Sequence, residues 1–260
     1  MFQYAKGFFY KHYIIYKKSQ AEKATLFIYP LVSLFSIGIL ALYLEASGAP
    51  SNAIPFVIVG TMAWTFYELC QRAMVYGMTL DIWDYCTKHM ILSPAGLADY
   101  IIGNSLFGLS SGTFALAILS ALSAAFFGFS IFSTGLVFVM SLFVAFIFAV
   151  SMGLGILSMM VAYDKEYLAF TWSMPGVIMV FSGVYYPVSM LPGFVRDIAY
   201  ILPTTYAIDA MRISIGLASG SVGQEILRGL IISVAYLALF FWTFSTSLNR
   251  ARNTGRTISG

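Results

Sequence analysis

The chain has 260 residues, of which 60% are hydrophobic and only 10% are charged, and its net charge is +3. A water-soluble domain needs roughly 25% charged residues to cover its surface, so this composition excludes a soluble globular protein. Most of the surface must face lipid, and the sequence predicts an all-α, polytopic membrane protein. No repeat, low-complexity tract or linker divides the chain, so we expect one membrane domain over residues 1–260.

Six apolar stretches set the predicted number of membrane crossings. A hydrocarbon core of about 30 Å requires roughly 20 apolar residues in a helix. Six segments meet or approach this length, and we predict that each spans the bilayer: residues 24–44, 53–70, 101–127, 134–162, 168–186 and 226–247.

The distribution of Lys and Arg predicts the orientation of these spans, because loops on the cytoplasmic side carry the excess of basic residues. With the N-terminus inside, 11 Lys and Arg lie in inner segments and 3 lie outside, namely Arg196, Arg212 and Arg228. We therefore expect a multi-pass protein of the cell (inner, cytoplasmic) membrane with both termini in the cytoplasm.

The N-terminal segment, residues 1–23, predicts a helix that does not span. Lys6, Lys11, Lys17 and Lys18 fall within about 140° of a helical wheel, and apolar side chains take the opposite side. That apolar side is formed by Phe2, Tyr4, Phe8, Phe9, Ile15 and Tyr16. The pattern is typical of a helix lying in the inner interface, where lysines meet anionic head groups. The alternative is a disordered basic tail.

A second irregular segment, residues 187–216, precedes the last predicted span. It contains three prolines and four charged residues among apolar ones, so it is too broken to span and too apolar for an exposed loop. Two short helices at 193–202 and 205–217 that re-enter the outer leaflet would satisfy its backbone polar groups. Asp209 and Arg212 are three residues apart and can pair on one helix face.

The usual marks of an enzyme, a metal site or an ion-coupled carrier do not occur in the sequence. There is no G-x-x-x-x-G-K-[ST] phosphate loop and no H-E-x-x-H motif. Cys86 and His89 lie three residues apart, but two ligands do not make a metal site. The spans hold no cluster of ionisable residues, and Glu68 is predicted to pair with Arg72 at the inner interface. If the protein moves a substrate, we expect a partner to supply the energy.

The inner loop at residues 77–100 offers a place for such a partner. Its central part predicts a short amphipathic helix, with Leu80, Trp83 and Thr87 at helical spacing and Asp84 and Lys88 on other faces. This helix either inserts into a groove on a cytosolic protein or touches only lipid head groups, and the residues alone do not separate the two.

Two motifs carry a resemblance to a known family. Leu191-Pro192 is followed after ten residues by Pro203-Thr204-Thr205-Tyr206 and after five more by Arg212. The inner loop reads Ile91-Leu92-Ser93-Pro94 and leads into Asp99-Tyr100-Ile101-Ile102-Gly103. Together with the length, the six predicted spans and the basic N-terminal helix, these motifs resemble the permease subunit of type-2 ABC exporters. That group includes bacterial exporters of lipid-linked polysaccharides and of drugs or antibiotics.

The resemblance covers essentially the whole chain. The residues of the inner loop are more similar to those of the exporters of drugs and lipo-oligosaccharides. The part of the signature upstream of the prolines is looser, since Pro175 and Phe181 stand where other residues are more usual. That departure weakens the subfamily assignment more than the family resemblance. A stand-alone channel or secondary carrier remains the alternative function.

The resemblance implies partners and roles. Such permeases act as dimers, and we expect a homodimer here. Each copy binds a separate cytosolic ATPase, which holds ATP and Mg²⁺. We therefore expect no cofactor in this chain and no nucleic acid among its partners. The N-terminal helix and a coupling helix at about 79–90 would contact the ATPase. The coupling residues would be Leu80, Trp83, Asp84, Thr87 and Lys88.

The resemblance also implies a path at the dimer interface and an outer gate. Candidate path or gate residues, each of which could instead face lipid or pack between helices, are Phe35, Trp64, Tyr67, Met174, Phe181 and Tyr185. The outer signature residues are Pro192, Pro203, Tyr206, Asp209 and Arg212.

Overall fold

A computed structural model describes residues 4–48, 52–83, 94–163 and 168–254, and these form nine α-helices, two short 3₁₀ turns and no strand. The helices are α1 Ala5–Lys18, α2 Gln20–Ala46, α3 Ala53–Trp83, α4 Leu97–Phe127, α5 Leu136–Tyr163, α6 Leu168–Phe181, α7 Gly193–Ala199, α8 Pro203–Ser214 and α9 Val222–Thr254. The all-α prediction is confirmed for the described part of the chain.

Five helices are long and apolar enough to cross a bilayer: α2, α3, α4, α5 and α9. They coincide with five of the six predicted spans. The predicted span at 168–186 instead contains α6, whose 14 residues extend only about 21 Å. The helix stops at Phe181, and Gly183 then turns the chain with a φ of +64°. The described residues thus hold five full-length apolar helices and one short one.

The helices run alternately between two ends of the bundle. One end holds α1 together with the last turns of α3 and the first turn of α4, and we call it the basic end. Lys11 of α1 bonds to Asp81 of α3 there. The opposite end holds α7 and α8 beside the first turns of α3 and α9, and we call it the broken end. Arg212 of α8 bonds to the carbonyl of Phe56 there.

The N-terminal segment is a helix packed on the bundle, so the alternative of a disordered tail is wrong for residues 4–18. Its predicted apolar side faces α4, where Phe9 packs edge-on against Phe107 with ring centroids 5.7 Å apart, whereas Lys6, Lys17 and Lys18 are exposed. The extended backbone of Ser19 (φ −88°, ψ 121°) separates α1 from α2, and its hydroxyl accepts the N–H of Glu22. The chain therefore bends at Ser19 rather than continuing as one long helix.

Helix α3 lies at the centre of the bundle. Every residue from 58 to 67 is buried, because α2, α4, α5 and α8 all pack against this helix. It also continues to Trp83, well past the predicted end at Cys70. Met74, Met78 and Ile82 recur every four residues and join a second buried cluster with Tyr100 and Leu157. This apolar stripe keeps the polar-looking segment helical.

The turn after α6 fits against α3 only because position 60 is glycine. A Cβ on Gly60 would lie 2.0 Å from the carbonyl oxygen of Val184 and 3.0 Å from a guanidinium nitrogen of Arg212. The first of these atoms is backbone and cannot rotate away. Close approach between α3 and the turn therefore depends on the missing side chain.

We predict that Gly60→Ala lowers the apparent melting temperature of the purified protein by several degrees, because the turn must shift from α3 at a cost of about 1–3 kcal/mol. Gly176→Ala in α6 is the matched control, since a Cβ there meets nothing within 4 Å and alanine favours a helix. Thermal unfolding in detergent checks both. Equal stability of the two variants would show that the turn does not seat on Gly60.

Candidate translocation path and coupling surface

Arg212 is the polar centre of the broken end. Its side chain is 1% exposed, yet its guanidinium donates to the carbonyls of Gly183 at 2.8 Å, Val184 at 2.7 Å and Phe56 at 3.3 Å. It also lies 3.5 Å from the centre of the Phe56 ring, a cation–π contact. Arg212 therefore joins α8 to the turn after α6 and to the first turn of α3.

The predicted pair of Asp209 and Arg212 forms, but it is a long contact of 3.8 Å. Burial raises the pKa of Asp209 to about 6, although the neighbouring Arg212 opposes that rise. Burial likewise lowers the pKa of Arg212 to about 10, so the guanidinium stays charged at neutral pH. Both residues border a polar cavity of about 540 Å³ that Glu225 and Arg228 also line. The carbonyl groups, not Asp209, are the close partners of Arg212.

The other signature residues shape the two short helices. Pro192 precedes α7 as its N-cap, and Pro203 begins α8, where its missing N–H costs nothing. The hydroxyl of Tyr206 donates to the carbonyl of Tyr200 at 2.7 Å. Thr205 donates to the carbonyl of Ala199 at the same distance. These bonds fold α8 back on the end of α7 and leave its last turn aimed at α3.

We predict that Arg212→Met strongly destabilises the protein, because the buried carbonyls of Gly183 and Val184 lose their donor at about 1–3 kcal/mol each. Asp209→Asn removes only a long, partly exposed contact and should cost less than about 1 kcal/mol. Apparent melting temperatures of the two variants, measured side by side, check the order. A larger loss in Asp209→Asn would mean that the ion pair, not the carbonyl bonds, holds the broken end.

The predicted path residues divide into three groups. Trp64 and Tyr67 are buried inside the single chain, with ring centroids 5.0 Å apart. Met174 and Tyr185 are half-buried and pack against the buried cluster that includes Trp64 and Tyr67. Phe35 lies elsewhere, edge-on to Phe126 of α4 at 5.2 Å.

Phe181 is half-buried at the last position of α6. Beside it, α6 turns Trp172, Val177 and Val180 outward, each about half exposed. The structure thus brings four of the six candidates, Trp64, Tyr67, Met174 and Tyr185, into one cluster. In this single copy Trp64 and Tyr67 act as packing residues.

A polar stripe along α3 was only partly predicted. Trp64, Glu68, Arg72 and Tyr76 follow one another at intervals of four residues, which places them along one side of a helix. This stripe faces the side of the bundle on which α2 and α6 lie.

The predicted Glu68–Arg72 pair is replaced by a pair between helices. Arg72 bonds to Glu22 of α2 at 3.2 Å, and the hydroxyl of Tyr76 donates to the same carboxylate. The guanidinium also lies 5.1 Å from the ring centre of Trp172. Sequence spacing shows partners within one helix, whereas a partner 50 residues away on α2 leaves no local signal.

At the basic end, polar bonds attach α1 to α3 and α4. Lys11 donates to Asp81 at 2.6 Å and to the carbonyl of Gly77 at 3.0 Å. His12 is buried and bonds to Asn104 at 2.7 Å, and burial lowers its pKa to about 4, so the ring is neutral at neutral pH. Asp99 accepts the first N–H groups of α1 from Tyr4 and Ala5.

The predicted coupling residues begin at this same end. Leu80 is half-buried on the last turns of α3, and Trp83 ends the helix with 49% of its surface exposed. Asp84, Thr87 and Lys88 lie outside the described residues. The two predicted coupling residues within the described part of the chain therefore extend α3 itself rather than starting a separate helix.

The model of the ABC-2 type transporter family matches residues 8–215. A search of curated proteins finds no match. The family match runs from α1 through α8 and so includes the basic end, the central helix α3 and the Arg212 site. A match over this share of the chain shows that the protein is a multi-pass membrane protein and belongs to the ABC-2 type transporter family.

Proposed function

We propose that this chain is the permease subunit of an ATP-driven exporter. Two copies form a path for an amphipathic substrate, and a separate cytosolic ATPase bound to each copy supplies the energy. The family match supports a transport subunit rather than an enzyme. ATP and Mg²⁺ bind the partner, and the basic end, with both chain termini, faces the cytoplasm.

The construction of the basic end is the observation that carries this proposal. Lys11 bridges to Asp81 only two residues before Trp83, and Asp99 holds the start of α1. Because charged and buried polar bonds join these three helices, α1, the end of α3 and the start of α4 move together. A push by an ATPase on the exposed Trp83 would therefore displace the whole basic end.

Helix α3 is the part that passes such a displacement to the opposite end. Its 31 residues form a rod of about 46 Å with Lys11 bound near one end and Arg212 bound near the other. A shift of α3 must therefore strain the turn at Gly183 and Val184. ATP-dependent closure of the ATPases would favour the arrangement they bind better, which is a shift between two populations.

The path is assigned to the side formed by α2 and α6. Both helices leave much of their apolar surface unpacked, and only 22% of the most apolar window of α2 is buried. Phe35, Met174, Phe181 and Tyr185 are half-buried and lie on α2, on α6 or in the turn that follows it. A second copy facing this side would enclose an aromatic path, with Asp209 and Arg212 near its outer end.

The lining suits an amphipathic substrate with a flat or ring-shaped part, because aromatic side chains stack on such groups. A lipid-linked oligo- or polysaccharide and a drug or antibiotic both meet this description. Trp172 and Tyr29 add exposed aromatic rings on the same helices. A stand-alone channel or secondary carrier would use the same path without an ATPase.

We predict that the protein, purified from its native membrane, retains a cytosolic ATPase and that Trp83→Ala lowers both this retention and ATP-dependent transport at least several-fold. Trp242→Ala is the matched control, because Trp242 is 65% exposed on α9 far from the inner loop in sequence. Quantitative co-purification and transport into inverted vesicles check the pair.

One result would contradict the proposal, and another would contradict only the role of Trp83. Transport that proceeds without any bound ATPase would favour the carrier. Unchanged ATPase binding in Trp83→Ala would remove Trp83 from the coupling surface while leaving the family assignment intact.

A further inference from the structure

The bend at Ser19 opens a cavity of about 410 Å³ between α1, α2 and α4. Its floor is apolar and aromatic, with Leu26 and Phe27 of α2 facing Phe107 and Phe114 of α4. The rings of Phe27 and Phe114 meet edge-on at 5.4 Å. The cavity exists because α1 bends away from the axis of α2 at Ser19 instead of extending it.

The mouth of the cavity is basic. Lys17, the next-to-last residue of α1, and Lys23, in the first turn of α2, both line it. Neither makes an ion pair within 4.0 Å among the described residues. The nearest acid on α2, Glu22, is buried and bonded to Arg72. Among the described residues, the two ammonium groups therefore have no carboxylate within ion-pairing distance.

A second apolar cavity continues from the first along the outer side of α4. It is about 660 Å³ in volume and shares Ser110 and Phe114 with the first. Its other walls include Leu106, Leu109 and Ala117 of α4 and Phe9 of α1, so it covers the same stretch of α4 on a neighbouring face. Together the two cavities form an apolar groove on the outer side of α4, with Lys17 and Lys23 at one edge.

We propose that this groove binds one anionic phospholipid, with its phosphate between Lys17 and Lys23 and an acyl chain along Phe114 and Leu109. Cations at a membrane surface attract anionic head groups, and the hydrocarbon chain matches the apolar floor. The lipid braces the angle between α1 and α2. This site lies away from α6 and the Arg212 cavity and does not depend on the proposed export function.

The test uses the purified full-length protein in a non-ionic detergent and a fluorescent phosphatidylglycerol, with the matching phosphatidylcholine as the neutral probe. Each lysine near an anionic group contributes roughly a fivefold gain in affinity. The wild type should therefore prefer phosphatidylglycerol, and Lys17→Gln/Lys23→Gln should weaken its binding by about tenfold or more while leaving phosphatidylcholine unchanged. Lys6→Gln/Lys18→Gln removes the same charge from exposed positions of α1 and should change neither.

Two further arms separate the groove from the charge. Ser110→Trp, which fills the part shared by the two cavities, should weaken both lipids. Inorganic phosphate at the same concentration should not displace the labelled lipid, because it lacks the chain. The proposal is overturned if the two double variants behave alike, if Ser110→Trp has no effect, or if phosphate alone competes as well as the lipid.

Discussion

Buried backbone groups must find hydrogen-bond partners within the protein. Arg212 supplies the donor where the helical hydrogen bonds of α6 end. The turn after α6 leaves the carbonyls of Gly183 and Val184 without helical donors, and the guanidinium of Arg212 bonds to both and to Phe56. Gly183 and Val184 are buried, so without Arg212 each of their carbonyls would be left unpaired at a cost of about 1–3 kcal/mol. Helix α6 can end at Phe181 because α8 places the side chain of Arg212 against the turn that follows.

The same bonds give α3 its role. Gly60 lets the turn approach, Phe56 stacks on the guanidinium, and the opposite end of the helix is held by Lys11. The helix is therefore fixed at both ends to segments that do not span: α8 at one and α1 at the other. The most buried of the long helices thus forms a rigid link between the basic end and the broken end, and the proposed function requires such a link.

Sequence patterns predicted the features that depend on composition and local spacing. The length of the apolar stretches predicted the five long helices, the arc of lysines predicted α1, and the prolines predicted α7 and α8. Patterns failed where distant segments meet. Arg72 binds Glu22 across 50 residues, Trp64 and Tyr67 turn inward because helices surround α3, and the apolar stripe of Met74, Met78 and Ile82 was hidden among polar neighbours. The short α6 followed from Gly183, whose turn a count of apolar residues does not register.

We propose that α6 and the Arg212-capped turn complete a sixth crossing, so that both termini lie in the cytoplasm. Single cysteines at Lys6, Ser219 and Asn253, placed in a variant without Cys70 and Cys86, test it directly. A membrane-impermeant maleimide should label position 219 in intact cells and positions 6 and 253 only after permeabilisation. Labelling of position 253 in intact cells would mean five crossings and would contradict the account.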